Sequence, residues 1–401
     1  MSRRARHRRR VVGAVCAATA FALLPAVPAR ADAIRDQQWG LRALHTDQAW
    51  RTTKGRGITV AVVDTGVDGS LPDLAGQVLP GKDMIGFGAR RGDHAWARHG
   101  TAMAGIIAGR GHGTGGTDGV LGVAPEAKIL PVRVILEASD PARARARESR
   151  GTALADGIRW AADHGADVIN LSLGDDSESA HPEASEDAAI QYALGKGAVV
   201  VASSGNGGEK GDHVSYPAAY PGVIAVAAVD RYGTHAAFST RRWYTTVSAP
   251  GVDIVVPAPD RQYYVEWGTS AAAAFVSGAV ALVRAAHPGL TPAQIKRLLT
   301  DTARSGSGSG HDDARGYGVV DPAAAIEAGS GLRPAGLRAE SADVGYRKRY
   351  FGPGPAPEHH ATRPTGRLAL AAGGLGAVLL ALAVVLWRGG SGGWAGARRR
   401  V

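Results

Sequence analysis

Cysteine is nearly missing from this chain: Cys16 is the only one in 401 residues, and it sits in an apolar stretch near the N-terminus. A single thiol excludes an internal disulfide, so stability must come from a packed core. A chain of this length can build one large domain or two smaller ones. Acidic residues are missing from both ends. Residues 1–31 carry seven arginines and residues 388–401 carry four, with no Asp or Glu in either. Without those ends the net charge of +10 becomes −1 over residues 32–367. The basicity therefore belongs to targeting, and it gives no reason to expect a nucleic-acid partner. Charge of either sign is missing from residues 368–387.

These gaps define the ends of the molecule. Residues 1–31 have a basic start, an apolar run over 11–27 broken by Pro25, and the small-x-small triplet Ala29-Arg30-Ala31. That pattern predicts a signal peptide, with the exported chain starting near Asp32 and a retained anchor as the alternative. The 20 residues of 368–387 are long enough to cross about 30 Å of hydrocarbon as a helix. The expectation is a single transmembrane span joined by a Gly/Pro/Arg-rich linker (329–367) and followed by a basic cytoplasmic tail (388–401). Arginines flank the span on both sides, so the signal peptide sets the orientation, with the globular part outside the cell membrane. No Leu-Pro-x-Thr-Gly precedes the span, which favours retention in the membrane over sorting to the wall.

Between the ends, unbroken apolar runs of strand length recur at 58–64, 128–135, 167–173, 198–202 and 223–229, separated by helical patterns such as 152–164 and 183–194. This alternation predicts an α/β fold with an open, mostly parallel sheet and helices on both faces. In such sheets the working residues gather at the carboxyl ends of strands, where Asp64 stands. The stretch 32–57 has a helical patch over 41–50 but no domain of its own. Residues 110–119 are glycine-rich and are expected to be a mobile loop. Residues 136–151 carry Arg143, Arg145, Arg147 and Arg150 and are expected to be a solvated loop. Thr291-Pro292 should open a helix, with threonine as the cap and proline in the first position.

Four short segments carry the chemistry. GTSAAAAFVSG (268–278) puts Ser270 at the start of an apolar helix, where unpaired amides favour developing negative charge. Such a serine needs a histidine as base and a carboxylate to hold that histidine. HGTAMAGIIAG (99–109) offers His99 at another helix start, VAVVDTGVD (60–68) offers Asp64, and SSGNGG (203–208) carries Asn206 in a turn after a strand. Its side-chain amide can donate to an oxyanion.

Together, in the order Asp, His, Ser with an asparagine before the serine, these segments resemble the subtilisin-like serine proteases over about residues 36–328. The resemblance implies a peptidase domain at 58–328. By analogy Asp64 orients the imidazole, His99 is base then acid, Ser270 attacks, and Asn206 with the Ser270 amide binds the oxyanion. Ser172, Leu173 and Gly174 match the edge to which a peptide substrate adds as a strand, and Ser203, Ser204 and Gly205 match the other side of the substrate pocket. The opening DQQWGLRAL (36–44), the missing propeptide and the C-terminal anchor narrow the resemblance to the mycosins, the membrane-anchored proteases of actinobacterial type VII secretion systems. That implies processing of exported proteins, with residues 32–57 wrapped on the protease. A structural role in the secretion channel, with proteolysis dispensable, is the alternative. Three positions depart from the family: Ala102, Ala271 and Ala274 stand where histidine, methionine and proline are usual. The family's calcium sites would involve Asp73 and the 110–119 loop. That loop offers few oxygen ligands beyond Thr114, Thr117 and Asp118, so no metal and no cofactor are expected.

Overall fold

The computed structural model describes residues 33–305 and 310–335. The expected signal peptide, transmembrane segment and tail, and most of the linker, lie outside the described residues.

The described chain opens with three short helices, α1 (Ala33–Gln37), α2 (Trp39–Ala43) and α3 (Thr46–Ala49). It then enters β1 (Thr59–Asp64), the third strand across a seven-stranded sheet. The other strands are β2 (Lys82–Asp83), β5 (Lys128–Arg133), β6 (Val168–Leu171), β7 (Val199–Ser203), β8 (Ile224–Val229) and β9 (Thr245–Pro250). Their order is β2-β5-β1-β6-β7-β8-β9 and every pairing is parallel. The apolar runs form the interior of this sheet because β1, β5, β6, β7 and β8 bury both faces, while the edge strand β2 is exposed. Val60, Val62, Val199 and Val201 point into one core, and Ala61, Val63, Val200 and Ala202 into the other.

On the first face lie α4 (Arg98–Ala108) and α8 (Thr269–Ala286), followed by α9 (Pro292–Asp301) and α10 (Pro322–Gly329). On the second lie α5 (Arg143–Ser149), α6 (Ala153–Asp163) and α7 (Ala184–Gly195). Helix α8 is built of small apolar residues and is buried along nearly its whole length. Its Val276, Val280, Leu282 and Val283 each supply about 1.5–3 kcal/mol of burial. Among the described residues it is the one helix long and apolar enough to cross a membrane, but 83% of it is covered by protein, as in the core helix of a soluble domain. The start of α9 matches its signature. Thr291 Oγ1 accepts from the Gln294 amide and Gln294 Oε1 accepts from the Thr291 amide, with Pro292 in the first turn.

The N-terminal helices are pinned to the domain by side chains that bond backbone. Trp39 Nε1 donates to the carbonyls of Val252 and Asp253, and Trp50 Nε1 to that of Val123. Gln38 exchanges two hydrogen bonds with Leu121, and Leu44 is fully buried.

Two expected loops turn out to be ordered. Residues 110–119 fold into β3 (Arg110–His112) and the start of β4 (Asp118–Leu121), an antiparallel pair whose turn is held by Arg35 through the carbonyls of Gly116 and Gly119. Within 136–151, Arg143–Ser149 is helical because Arg, Ala and Glu are strong helix formers, and the guanidinium of Arg145 lies 4.6 Å from the Phe87 ring centre. Strand β9 and the hairpin of β10 (Ile254–Pro257) and β11 (Tyr263–Glu266) were not read from the sequence. TTVSAP, the sequence of β9, has no apolar run, yet all six residues are buried.

Candidate active site

β1 is flanked by β5, which follows it in the chain, and by β6, which comes later. Its carboxyl end is thus the point where the chain's course across the sheet reverses, the place where open α/β sheets form their binding crevice. Asp64 is the last residue of β1 and is 1% exposed. One carboxylate oxygen accepts from the Thr65 amide at 2.7 Å, and both lie 2.9 Å from His99 Nδ1. The carboxylate therefore fixes Nδ1 as the protonated nitrogen and turns Nε2 toward the crevice.

His99 is the second residue of α4, and close contact with β1 is possible because Gly100 follows it. A Cβ on Gly100 would sit 2.1 Å from the Gly66 carbonyl oxygen. The Gly100 amide donates to Thr65 Oγ1, and Thr101 Oγ1 accepts from the Asp68 amide. The His99 amide is capped by Glu137 Oε1 at 2.8 Å. Burial works against the charged imidazole, but the Asp64 carboxylate outweighs it with help from Glu137 and Glu266, raising the His99 pKa to about 9. The side chain is still 37% exposed.

Ser270 is the second residue of α8, which packs against α4. Gly268 leads in with φ of 152°, which glycine alone adopts readily, and its amide donates to the Gly251 carbonyl. Below Ser270 a buried polar cluster ties α8 to the end of β6. Ser172 Oγ donates to the Ser270 carbonyl (2.8 Å), Asn170 Nδ2 donates to Ser172 Oγ (3.0 Å), and Ser277 Oγ donates to Asn170 Oδ1 (2.9 Å). The Ser270 hydroxyl donates to the Ser172 carbonyl at 3.1 Å. Asn206 is exposed at the mouth of the site, and its Oδ1 accepts from the Thr269 amide and hydroxyl, both at 3.0 Å. That leaves Nδ2 as the end that can donate to a ligand beside Ser270. The Asn206 amide is held by Asp176 Oδ2 at 2.7 Å.

The structure thus pairs Asp64 with His99, sets Asn206 against Thr269 at the start of α8 beside Ser270, and packs α8 on the helix that carries His99. The other expected residues divide. Gly174 is exposed and Leu173 half-buried, whereas Ser172, Ser203, Ser204 and Gly205 are buried. The Ser172 side chain supports α8, so only its backbone can face a substrate. Sequence reasoning missed Glu137, Glu266 and Asp176. Glu137 could have been found by the rule that pointed to Asp64, since it lies just beyond the carboxyl end of β5.

A calcium ion fits poorly at Asp73. Its Oδ1 faces the Val120 amide (2.9 Å) and His112 Nδ1 (3.2 Å), and its Oδ2 accepts from the Tyr263 hydroxyl (2.8 Å), so hydrogen-bond donors already surround the carboxylate. Among the described residues no group of three or more His, Cys, Asp or Glu is placed to hold a metal.

The chain belongs to the subtilase family, whose profile matches residues 55–318. Fervidolysin from Fervidobacterium pennivorans is 39% identical over 323 residues, which cover 73% of this chain and 44% of the relative. The chain thus spans less than half the length of that protein. Mycosin-1 from Mycobacterium tuberculosis is 36% identical over 342 residues, 73% of each chain. The structure of MycP3 protease from the type VII (ESX-3) secretion system is similar with a TM-score of 0.59 and 33% identity, covering 76% of this chain and 90% of that one.

Proposed function

We propose that the chain is a serine endopeptidase that cleaves exported proteins on the outer side of the cell membrane, held there by residues 368–387 and working beside a type VII secretion system. The observation that carries the reading is the buried Asp64 carboxylate 2.9 Å from His99 Nδ1, with Ser270 opening the helix packed against α4. A peptide would lie in the crevice with its backbone along 172–174. Ser270 Oγ leaves the Ser172 carbonyl, gives its proton to neutral His99 Nε2 and attacks the scissile carbonyl. Asn206 Nδ2 and the Ser270 amide bind the oxyanion, with the α8 dipole behind them. The imidazolium, held by Asp64, protonates the leaving amine, and water reverses the sequence to release the acyl group. Residues 32–57 brace the domain from outside, and the six residues 172–174 and 203–205 shape the substrate pocket. Ser270→Ala should abolish both peptide hydrolysis and labelling by a serine-directed phosphonate, and labelling that survives would remove Ser270 from this role.

A second reading, in which the protein stabilises the secretion channel and proteolysis is dispensable, is favoured by the resting site. The nucleophile is bonded to a carbonyl and the base is held protonated at neutral pH. Complementing a deletion strain with Ser270→Ala separates the two, since restored secretion supports the structural role and lost secretion the protease.

A further inference from the structure

Away from the catalytic crevice, the 110–119 hairpin, α1 and the segment before β1 enclose an open cleft of about 1130 Å³. Its charged lining is Arg35, Lys54, Arg56, Arg110 and Lys128 against one acid, Glu126. This concentration of charge occurs in a stretch, 32–367, that is nearly neutral as a whole. Backbone carbonyls hold several of these cations in place. Lys128 Nζ donates to the Gly76 carbonyl (2.6 Å), Arg110 to that of Ala75, and Arg35 to those of Gly116 and Gly119. Arg56 pairs with Glu126 at 2.9 Å, while Lys54, Arg110 and Lys128 form no ion pair among the described residues.

We propose that this cleft binds an extended acidic segment of a polypeptide, acting as a docking site separate from the catalytic crevice. Three observations select that ligand. The volume exceeds the roughly 300–1,000 Å³ of an ordinary small-molecule pocket. The lining carries five cations against one acid, which favours an acidic ligand. His112 carries the one aromatic ring in its lining, too few to stack successive bases. The glycine-rich turn over 113–116 lets a main chain approach closely. The site rests on the proposed function only for what happens to the bound chain afterwards.

The test is fluorescence anisotropy of a labelled peptide of alternating Asp and Gly, and of its Asn-for-Asp control, with the full chain carrying Ser270→Ala so that nothing is cleaved. The acidic peptide should bind and weaken as salt rises. Lys54→Glu, at a side chain with no described hydrogen bond, should weaken binding about fivefold, and Lys54→Glu with Arg110→Glu about twenty-five-fold. In the Ser270 background both changes should leave turnover of a short neutral peptide and the melting temperature unchanged. Equal binding of the control peptide, or undiminished binding by the Lys54→Glu protein, overturns the proposal. So does capture by phosphatidylglycerol nanodiscs that the double change abolishes while the acidic peptide fails to bind. Because binding is read without cleavage, a failed docking site and a failed protease reading give different results.

Discussion

On the proposed mechanism, Glu137→Gln should raise peptide hydrolysis at neutral pH. The base must be neutral to accept the Ser270 proton, and with a pKa of about 9 only about one imidazole in a hundred is neutral at pH 7. Raised folded-state affinity for the proton means that activity is low below this value and climbs as pH rises through it. The same sign holds for stability: the protonated pair's contribution is present in full below the ordinary histidine range and fades as pH rises through about 9. Glu137 Oε1 is 2.8 Å from the His99 amide nitrogen, which puts the ring about 6 Å away by side-chain geometry. For a half-exposed carboxylate with an effective dielectric constant of about 40, the attraction is about 1.4 kcal/mol, or about one pH unit. The glutamine amide still accepts from the His99 amide, so the helix start keeps its cap. Glu266 on β11 also acts on the imidazole, and Arg143, its pKa lowered by burial and by Arg147, lies near Glu137 and Asp64; both are left in place. The assay is kcat/KM of a short neutral fluorogenic peptide from pH 6 to 11 at low and high salt. The acidic limb should move down by about one unit, with activity at pH 7 rising about tenfold and the alkaline plateau unchanged. A limb that stays put, or moves up, refutes the account of His99.

Other perturbations test the rest of the site. Asn206→Ala should lower kcat about 10²–10³-fold with little change in KM, read by steady-state kinetics. Gly100→Ala should lose activity and lower the melting temperature together, because the new methyl meets the Gly66 carbonyl oxygen and separates α4 from Asp64. Asn170→Ala leaves the buried hydroxyls of Ser172 and Ser277 short of a partner and should cost about 1–3 kcal/mol in chemical denaturation. Peroxide should spare activity, since Ala271 puts no thioether beside the nucleophile, and rapid inactivation traced to the residue next to Ser270 would contradict this.

What the sequence reveals here follows from how locally each feature is determined. The strands of the sheet interior were legible as apolar runs because both their faces are buried, and Asp64 because it ends one of them. β9 was hidden because its burial depends on neighbours far along the chain that cover Thr245, Thr246 and Ser248. Helix α5 was hidden because four arginines read as solvent exposure, although their helix propensity is high. Nothing local tells that Glu137 caps the backbone of a residue 38 positions away, or that the Ser172 side chain faces inward to hold α8. The sequence supplies the candidate residues, and the packing of α4 against α8 sets the helices that carry His99 and Ser270 side by side.

The order of the strands also sets a clock. Asp64 and His99 come from the first part of the chain, whereas Asn206 and Ser270 come from the other side of the sheet, and Ser270 follows Asp64 by about 200 residues. At 5–20 residues per second the nucleophile emerges roughly 10–40 s after the acid it depends on. Helix α8 then has to bury itself under β6, β7 and β8 before its first turn has a fixed place. A half-made chain therefore lacks the elements that carry Asn206 and Ser270, and on the proposed function it cannot cleave until the last layers of the domain have closed.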